Sequence, residues 1–217
     1  MRVWDLPLRV FHWSFMICVF GAIASGKMEN WDIHERFGLA IMGLVTFRII
    51  WGFIGSSTAR FANFVKGPAA FIAALRDLRQ KRSTTEAGHS AVGGYATIAL
   101  LFIPLMMALT GAFSTDDILF DGPFYHLMPE WSKQAGMMHE IGEKFIFLII
   151  ALHIGALAYY YFAIRKNLIP PMVTGRSDKA TGTPATLSIR RTFAGLVLLI
   201  FLVAVAQSAT QLRPDYF

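Results

Sequence analysis

Uncharged stretches long enough to cross a lipid bilayer dominate this chain of 217 residues. They are residues 10–26, 90–115, 145–164 and the stretch from 192 up to Arg213, and residues 37–59 are apolar apart from Arg48. A transmembrane helix needs about 20 mostly apolar residues. Charged residues make up only 16% of the chain, against about 25% in soluble domains. The sequence therefore predicts an all-α integral membrane protein with five transmembrane helices.

The distribution of charge predicts how the chain crosses the membrane. Basic residues lie in three places. Before the first span are Arg2 and Arg9, and after the second span are Arg60, Lys66, Arg76, Arg79, Lys81 and Arg82. After the fourth span are Arg165, Lys166, Arg176, Lys179, Arg190 and Arg191. The other two segments carry few basic residues and more acidic ones: Lys27, Lys133; Glu29, Asp32, Asp116, Asp117, Asp121, Glu130. Cytoplasmic loops carry the excess of Lys and Arg. We therefore expect the N-terminus in the cytoplasm and the C-terminus outside, with the basic residues facing lipid headgroups rather than nucleic acid.

Further expectations concern the first span and the segments outside the spans. Ala22-Ile23-Ala24 is similar to a signal-peptide cleavage site, but the chain lacks a plainly basic start, which favours an uncleaved first helix. Residues 1–9 are expected to be an interfacial lead-in, and residues 165–191 to be irregular. In between, the segment GPAAFIAALRDLRQKR predicts an amphipathic helix that starts at Pro68 and lies on the inner membrane surface.

Four of the six histidines fall in or at the ends of the predicted spans. His139 and His153 are 14 positions apart in the fourth span. Since a helix turns about 100° and rises about 1.5 Å per residue, they share one face at depths roughly 21 Å apart. By depth, His12 pairs with His153 near the inner side of the membrane, and His34 pairs with His139 near the outer side.

Paired imidazoles in an apolar bundle suit the axial ligation of iron porphyrin. A lone intramembrane histidine often only bonds a neighbouring helix, but pairing at two depths favours two haems. Zinc needs three or four ligands, which neither the segment HEIGE nor the isolated Cys18 provides. The absence of C-x-x-C-H excludes covalent haem attachment.

Arg48 lies 14 positions after His34, and this interval predicts that it sits at the depth of the inner haem. A buried arginine needs an anion, which a haem propionate would provide, while snorkelling to the headgroups is the alternative. His89 precedes the third span, where it is interpreted as interfacial, with a contact to a propionate or a quinone as the alternative. His126, in the acidic outer loop, is interpreted as a surface residue.

Several stretches resemble the bacterial di-haem cytochrome b proteins that include the cytochrome b subunits of nickel–iron hydrogenases. They are VWDLPLRVFHW, HERFGLAIMGLVTFRIIWGFIGS, ARFANFVKGP, GHSAVGGY, LTGAFSTDDILFDGP and HEIGEKFIFLIIALHIGALAYY, which together cover residues 3–175. The resemblance implies a four-helix core, residues 1–175, that binds two b haems through His12, His34, His139 and His153. Residues 176–217 are expected to form a linker and a fifth transmembrane helix outside that core.

The resemblance implies a membrane electron-transfer subunit of a quinone-linked oxidoreductase in the bacterial inner membrane. Electrons would pass between quinone and an extracytoplasmic partner, a c-type cytochrome or a hydrogenase. Carboxylates around Asp116, Asp117 and Asp121 would suit a basic partner. Two alternatives stay open, a self-contained enzyme whose outer haem reacts with an oxidant such as superoxide, and a membrane anchor without haem. The sequence leaves the oligomeric state open.

Overall fold

The computed structural model describes residues 1–82, 87–115 and 120–212, and these residues form helices joined by loops. The α-helices are α1 (Leu6–Lys27), α2 (Trp31–Ile54), α3 (Phe61–Phe64), α4 (Pro68–Arg79), α5 (Ala91–Phe113), α6 (Ser132–Phe162), α7 (Ile169–Thr174) and α8 (Ile189–Gln207). Short 3-10 helices cover Tyr125–Leu127, Pro129–Trp131 and Ser208–Leu212. Helices α1, α2, α5, α6 and α8 are long and apolar enough to span a membrane. The predicted all-α fold with five transmembrane helices is confirmed.

The chain divides into two compact units. The first unit contains residues 1–10, 48–100 and 149–196, and the second contains residues 11–47, 101–148 and 197–217. Each of the five long helices contributes one stretch to each unit.

The N-terminal residues of the first unit are fixed to the segment that follows α7. The backbone N–H of Val3 donates to the carbonyl of Gly175 (2.8 Å), and the N–H of Ala185 donates to the carbonyl of Arg2 (2.9 Å). Gly175 ends α7 with φ of 76°, a left-handed conformation that glycine adopts without a Cβ penalty. Asp5 is buried and caps a helix that begins at Leu6, within the residues predicted to be an interfacial lead-in. Their position at the membrane interface stays a prediction.

In the second unit, α8 lies against α2. A Cβ on Gly43 of α2 would come within 2.7 Å of both the Leu202 carbonyl oxygen and the Val203 Cα of α8. The side-chain amide of Gln207 donates to the backbone carbonyl of Arg36 (2.7 Å). Small residues allow membrane helices to approach this closely, so the glycine places the α8 backbone directly on α2.

Helix α4 begins at Pro68, as the sequence predicts, and packs through one face. Phe71 contacts the ring of Tyr95, with centroids 5.0 Å apart, and the hydroxyl of Tyr159 donates to the carbonyl of Leu78 (2.7 Å). Ile72 and Leu75 stay exposed, as an interfacial helix that faces lipid requires.

Residues 165–191 differ from expectation, whereas α6 contains His139, as predicted. Residues 165–191 are not irregular throughout, since they contain α7. Helix α6 begins at Ser132, well before the apolar stretch that starts at residue 145. His139 therefore lies two turns inside the helix, which fixes the direction of its side chain.

Candidate functional site

The second unit brings together two of the four histidines predicted as ligands. His34 lies in the first turn of α2, and His139 lies in α6. Their ring centroids are 5.9 Å apart and their ring planes are nearly perpendicular, at 84°. The predicted outer pair is thus adjacent in space.

The imidazole of His34 is held against α1. Its Nδ1 lies 2.8 Å from the backbone carbonyl oxygen of Ala22. The ring occupies the space beside Gly26, where an added Cβ would come within 3.0 Å of Nδ1. Helix α1 therefore provides this ring with a hydrogen-bond acceptor, the carbonyl of Ala22, and with space beside Gly26.

The imidazole of His139 is held against α5 in the same manner. Its Nδ1 lies 2.9 Å from the carbonyl oxygen of Met107 and 3.3 Å from the hydroxyl of Thr110. A Cβ on Gly111 would come within 2.9 Å of the ring carbon Cε1. Helix α5 carries no histidine of its own, yet it orients this one.

These contacts fix the tautomer of both rings. A backbone carbonyl oxygen can only accept a hydrogen bond, so Nδ1 of His34 and Nδ1 of His139 each carry the proton and donate it. The lone pair of each neutral ring is then on Nε2, the nitrogen available to a metal. Metal-binding histidines commonly donate their second N–H to a backbone carbonyl in this way, which orients the ring and raises its basicity.

The pair fits an iron porphyrin better than an isolated ion. In the described residues, 1–82, 87–115 and 120–212, no three His, Cys, Asp or Glu side chains lie close enough to hold one metal ion. The ring centroids of His34 and His139 are 5.9 Å apart, so these two residues would be the protein ligands of one haem iron. A porphyrin supplies the remaining ligands itself.

Charged and aromatic side chains surround this pair. Lys27 at the end of α1 forms an ion pair with Glu143, one turn beyond His139 on α6. Trp31 contacts the ring of His34 edge-on, with centroids 6.1 Å apart. Both partners of the ion pair are partly exposed, at 63% and 39%, so this end of the site reaches the surface of the second unit.

In the first unit, Arg48 is buried within aromatic side chains and is only 1% exposed. Its guanidinium carbon lies 4.8 Å from the ring centroid of Phe61 and 5.9 Å from that of Phe64. Neither terminal nitrogen has a hydrogen-bond partner among the described residues. The guanidinium therefore does not extend to the protein surface. Burying an unpaired charge is costly, so the two terminal nitrogens are expected to donate to an anion.

The other histidines occupy separate surroundings. His12 belongs to the second unit, where it contacts the ring of Trp13, and His153 belongs to the first unit. Their pairing stays a prediction. His89 lies in the first unit between the rings of Trp4 and Phe64, with centroids 4.8 and 4.9 Å away.

Two further predictions concern the acidic outer loop. His126 is in the 3-10 helix Tyr125–Leu127. Asp116 and Asp117 lie outside the described residues.

Sequence reasoning missed the residues that hold the two rings. The carbonyl groups of Ala22 and Met107 carry no side-chain signal, and Gly26 and Thr110 are ordinary residues of apolar helices. Both α1 and α5 contain a hydroxyl residue followed by glycine, Ser25-Gly26 and Thr110-Gly111. This pattern can be interpreted only after the structure shows each helix beside a histidine.

Comparison with known proteins gives one match. The family model described as prokaryotic cytochrome b561 matches residues 3–175. No curated protein and no solved structure matches the chain. The chain belongs to this family, and it is accordingly a multi-pass bacterial membrane protein, a b-type cytochrome of electron transfer.

Proposed function

We propose that this prokaryotic cytochrome b561 carries electrons between the quinone pool and an extracytoplasmic redox partner through two bis-histidine haems. His34 and His139 bind the outer haem, and His12 and His153 bind the inner one. The observation that carries this proposal is the shared orientation of His34 and His139, each with Nδ1 bonded to a carbonyl and Nε2 left for iron. The inner pair rests on the depth of the two histidines along the sequence.

The chain's own residues orient and enclose the cofactor. Haem supplies one-electron redox chemistry at the iron. The Nδ1–H groups of His34 and His139 donate to backbone carbonyls of α1 and α5, which leaves Nε2 of each ring for the metal. A low dielectric around the iron would influence its potential.

Arg48 is proposed to bind a propionate of the inner haem. Its two terminal nitrogens are buried without hydrogen-bond partners among the described residues, and guanidinium groups bind carboxylates through paired N–H donors. The Asp5 carboxylate interacts with Arg48 electrostatically but makes no hydrogen bond with it among the described contacts. The donors thus remain for an anionic ligand, and a propionate is such a group.

The redox partner is proposed to dock at the periplasmic end. With a cytoplasmic N-terminus, the segments before α2 and α6 lie at that end. Exposed side chains of residues 120–131 combine carboxylates, Asp121 and Glu130, with apolar groups, Leu127 and Trp131. Acidic patches speed the encounter with basic partners, which suits a basic c-type cytochrome or a basic face of a hydrogenase subunit. The basic loops on the other side are proposed to contact headgroups of the inner leaflet.

Optical spectroscopy on the purified protein tests this function. The dithionite-reduced minus oxidised spectrum should show a b-type α-band, the haem assay should give two haems per chain, and a quinol should reduce both. An absent α-band would end the proposal. Steady turnover with superoxide and quinone, without any partner protein, would instead identify a self-contained superoxide:quinone oxidoreductase.

A further inference from the structure

Two segments of different helices have the same arrangement around their histidines. In α1, the hydroxyl of Ser25 donates to the carbonyls of Gly21 (2.7 Å) and Ala22 (3.2 Å). In α5, the hydroxyl of Thr110 donates to the carbonyls of Met106 (2.8 Å) and Met107 (3.1 Å). A glycine follows the hydroxyl residue in each segment, giving the hydroxyl–glycine pairs Ser25–Gly26 and Thr110–Gly111.

The carbonyl that receives the imidazole proton is in both cases four residues before the glycine. His34 bonds the carbonyl of Ala22, four residues before Gly26, and His139 bonds the carbonyl of Met107, four residues before Gly111. In an α-helix the side chain of residue i+4 projects back toward the N-terminus, over the turn that contains residue i. A glycine at i+4 therefore uncovers the carbonyl of residue i, whose second lone pair can accept from outside the helix.

We propose that the two hydroxyl–glycine pairs are the positioning residues for the axial ligands of the outer haem. Each glycine admits the imidazole ring, each uncovered carbonyl holds Nδ1–H, and each hydroxyl binds the same carbonyl from within its own helix. Helices α1 and α5 thus set the rotation of both rings, although the outer ligands come from α2 and α6. This assignment rests on the proposed function, since it takes His34 and His139 as haem ligands.

On this proposal, Gly26 and Gly111 are needed to make room for the imidazole rings rather than for close packing of helices. A Cβ at Gly26 or Gly111 would meet mainly ring atoms, at 3.0 and 2.9 Å. Gly155 on α6 is exposed and has no atom within 4 Å of an added Cβ. It provides a control on a helix that carries a ligand.

The test begins with haem content and the ferric low-spin electron paramagnetic resonance spectrum. Gly26→Ala and Gly111→Ala should each lose the outer haem or change its signal, while the inner haem stays. Gly155→Ala should match the wild type. Thr110→Val should keep both haems but change the outer signal, because it removes a polar atom 3.3 Å from Nδ1 of His139. Thr97→Val is its control on α5, since that hydroxyl bonds only the carbonyl of Gly93 among the described residues.

A double-mutant cycle decides the case even where Gly111→Ala folds poorly. The three atoms nearest to the added methyl group all belong to the His139 ring. Gly111→Ala should therefore lower the melting temperature much less in a His139→Ala background than in the wild type. Equal losses in both backgrounds, or an unchanged outer haem in both glycine variants, would overturn the proposal and leave the proposed function intact. A wild-type protein that contains no haem would overturn both.

Discussion

The indole N–H of Trp51 donates to both carboxylate oxygens of Asp5, each at 3.2 Å, although the two residues are 46 positions apart. The same carboxylate accepts from the hydroxyl of Ser56 and from the backbone N–H of Leu8. Asp5 is 2% exposed, so these donors have no access to water once the carboxylate is removed. Asp5 thereby joins the start of α1 to the end of α2 within the first unit.

Asp5→Ala is expected to destabilise the protein by about 2–4 kcal/mol. Leaving buried donors unsatisfied costs about 1–3 kcal/mol, and losing a helix N-cap costs about 1 kcal/mol. Thermal unfolding in detergent, followed by circular dichroism, measures the loss. Asp77→Ala on the exposed side of α4 is the control and should leave the melting temperature within experimental error. Equal melting temperatures for the two variants would contradict the importance of this network.

Five spans could be predicted from the sequence because the hydrocarbon core of a bilayer requires a minimum number of consecutive apolar residues. This requirement does not depend on tertiary contacts. The sequence also allowed the prediction that His34 and His139 lie at one depth, because helical rise converts position into depth. Their 5.9 Å separation is consistent with that reasoning. The same reasoning predicts the depth of Arg48, which stays a prediction.

The remaining features depend on which helices are neighbours, and the sequence contains no direct signal for that. Nothing in the spacing of Arg48 predicts that Phe61 and Phe64 enclose its guanidinium. Nothing in the polar start of the chain predicts that Asp5 is buried, since its donors come from residues far along the sequence. The carbonyls of Ala22 and Met107 are backbone groups, present at every position, and only the packed structure selects these two.

His139→Ala and His153→Ala are each expected to remove one haem, and a different one. If His139 serves the outer haem and His153 the inner one, redox titration of the two variants will lose different midpoint potentials from the wild-type curve. His126→Ala, at a residue outside the spans, should retain both. Two haems in both ligand variants would show that the proposed pairing is wrong.

Arg48→Met is expected to lower the midpoint potential of the inner haem and leave the outer one unchanged. A positive charge beside a propionate favours the reduced, less positive iron, and methionine removes this charge while filling most of the volume. Potentiometric titration followed at the α-band measures both haems in one experiment. Arg60→Met, at an exposed residue, is the control for loss of a charge. A shift in the outer haem alone would place the arginine elsewhere in the electron path.

Gly43→Ala is expected to destabilise the protein by about 1–3 kcal/mol, the usual cost of inserting atoms into a packed interface. The added methyl would meet the backbone of Leu202 and Val203 at 2.7 Å, and a backbone cannot rotate away as a side chain can. Because α8 lies outside the residues that match the family, 3–175, the variant asks whether this helix stabilises α2.

Gly155→Ala is the control for this variant, at an exposed glycine of α6 with open space around its Cβ. Alanine favours helix over glycine by about 1 kcal/mol, so the control should be neutral or slightly stabilising. Thermal unfolding and haem retention on heating provide the measurements. If α8 stabilises the helix that carries His34, Gly43→Ala should release haem at a lower temperature than Gly155→Ala. Coincident release curves would show that α8 makes no such contribution.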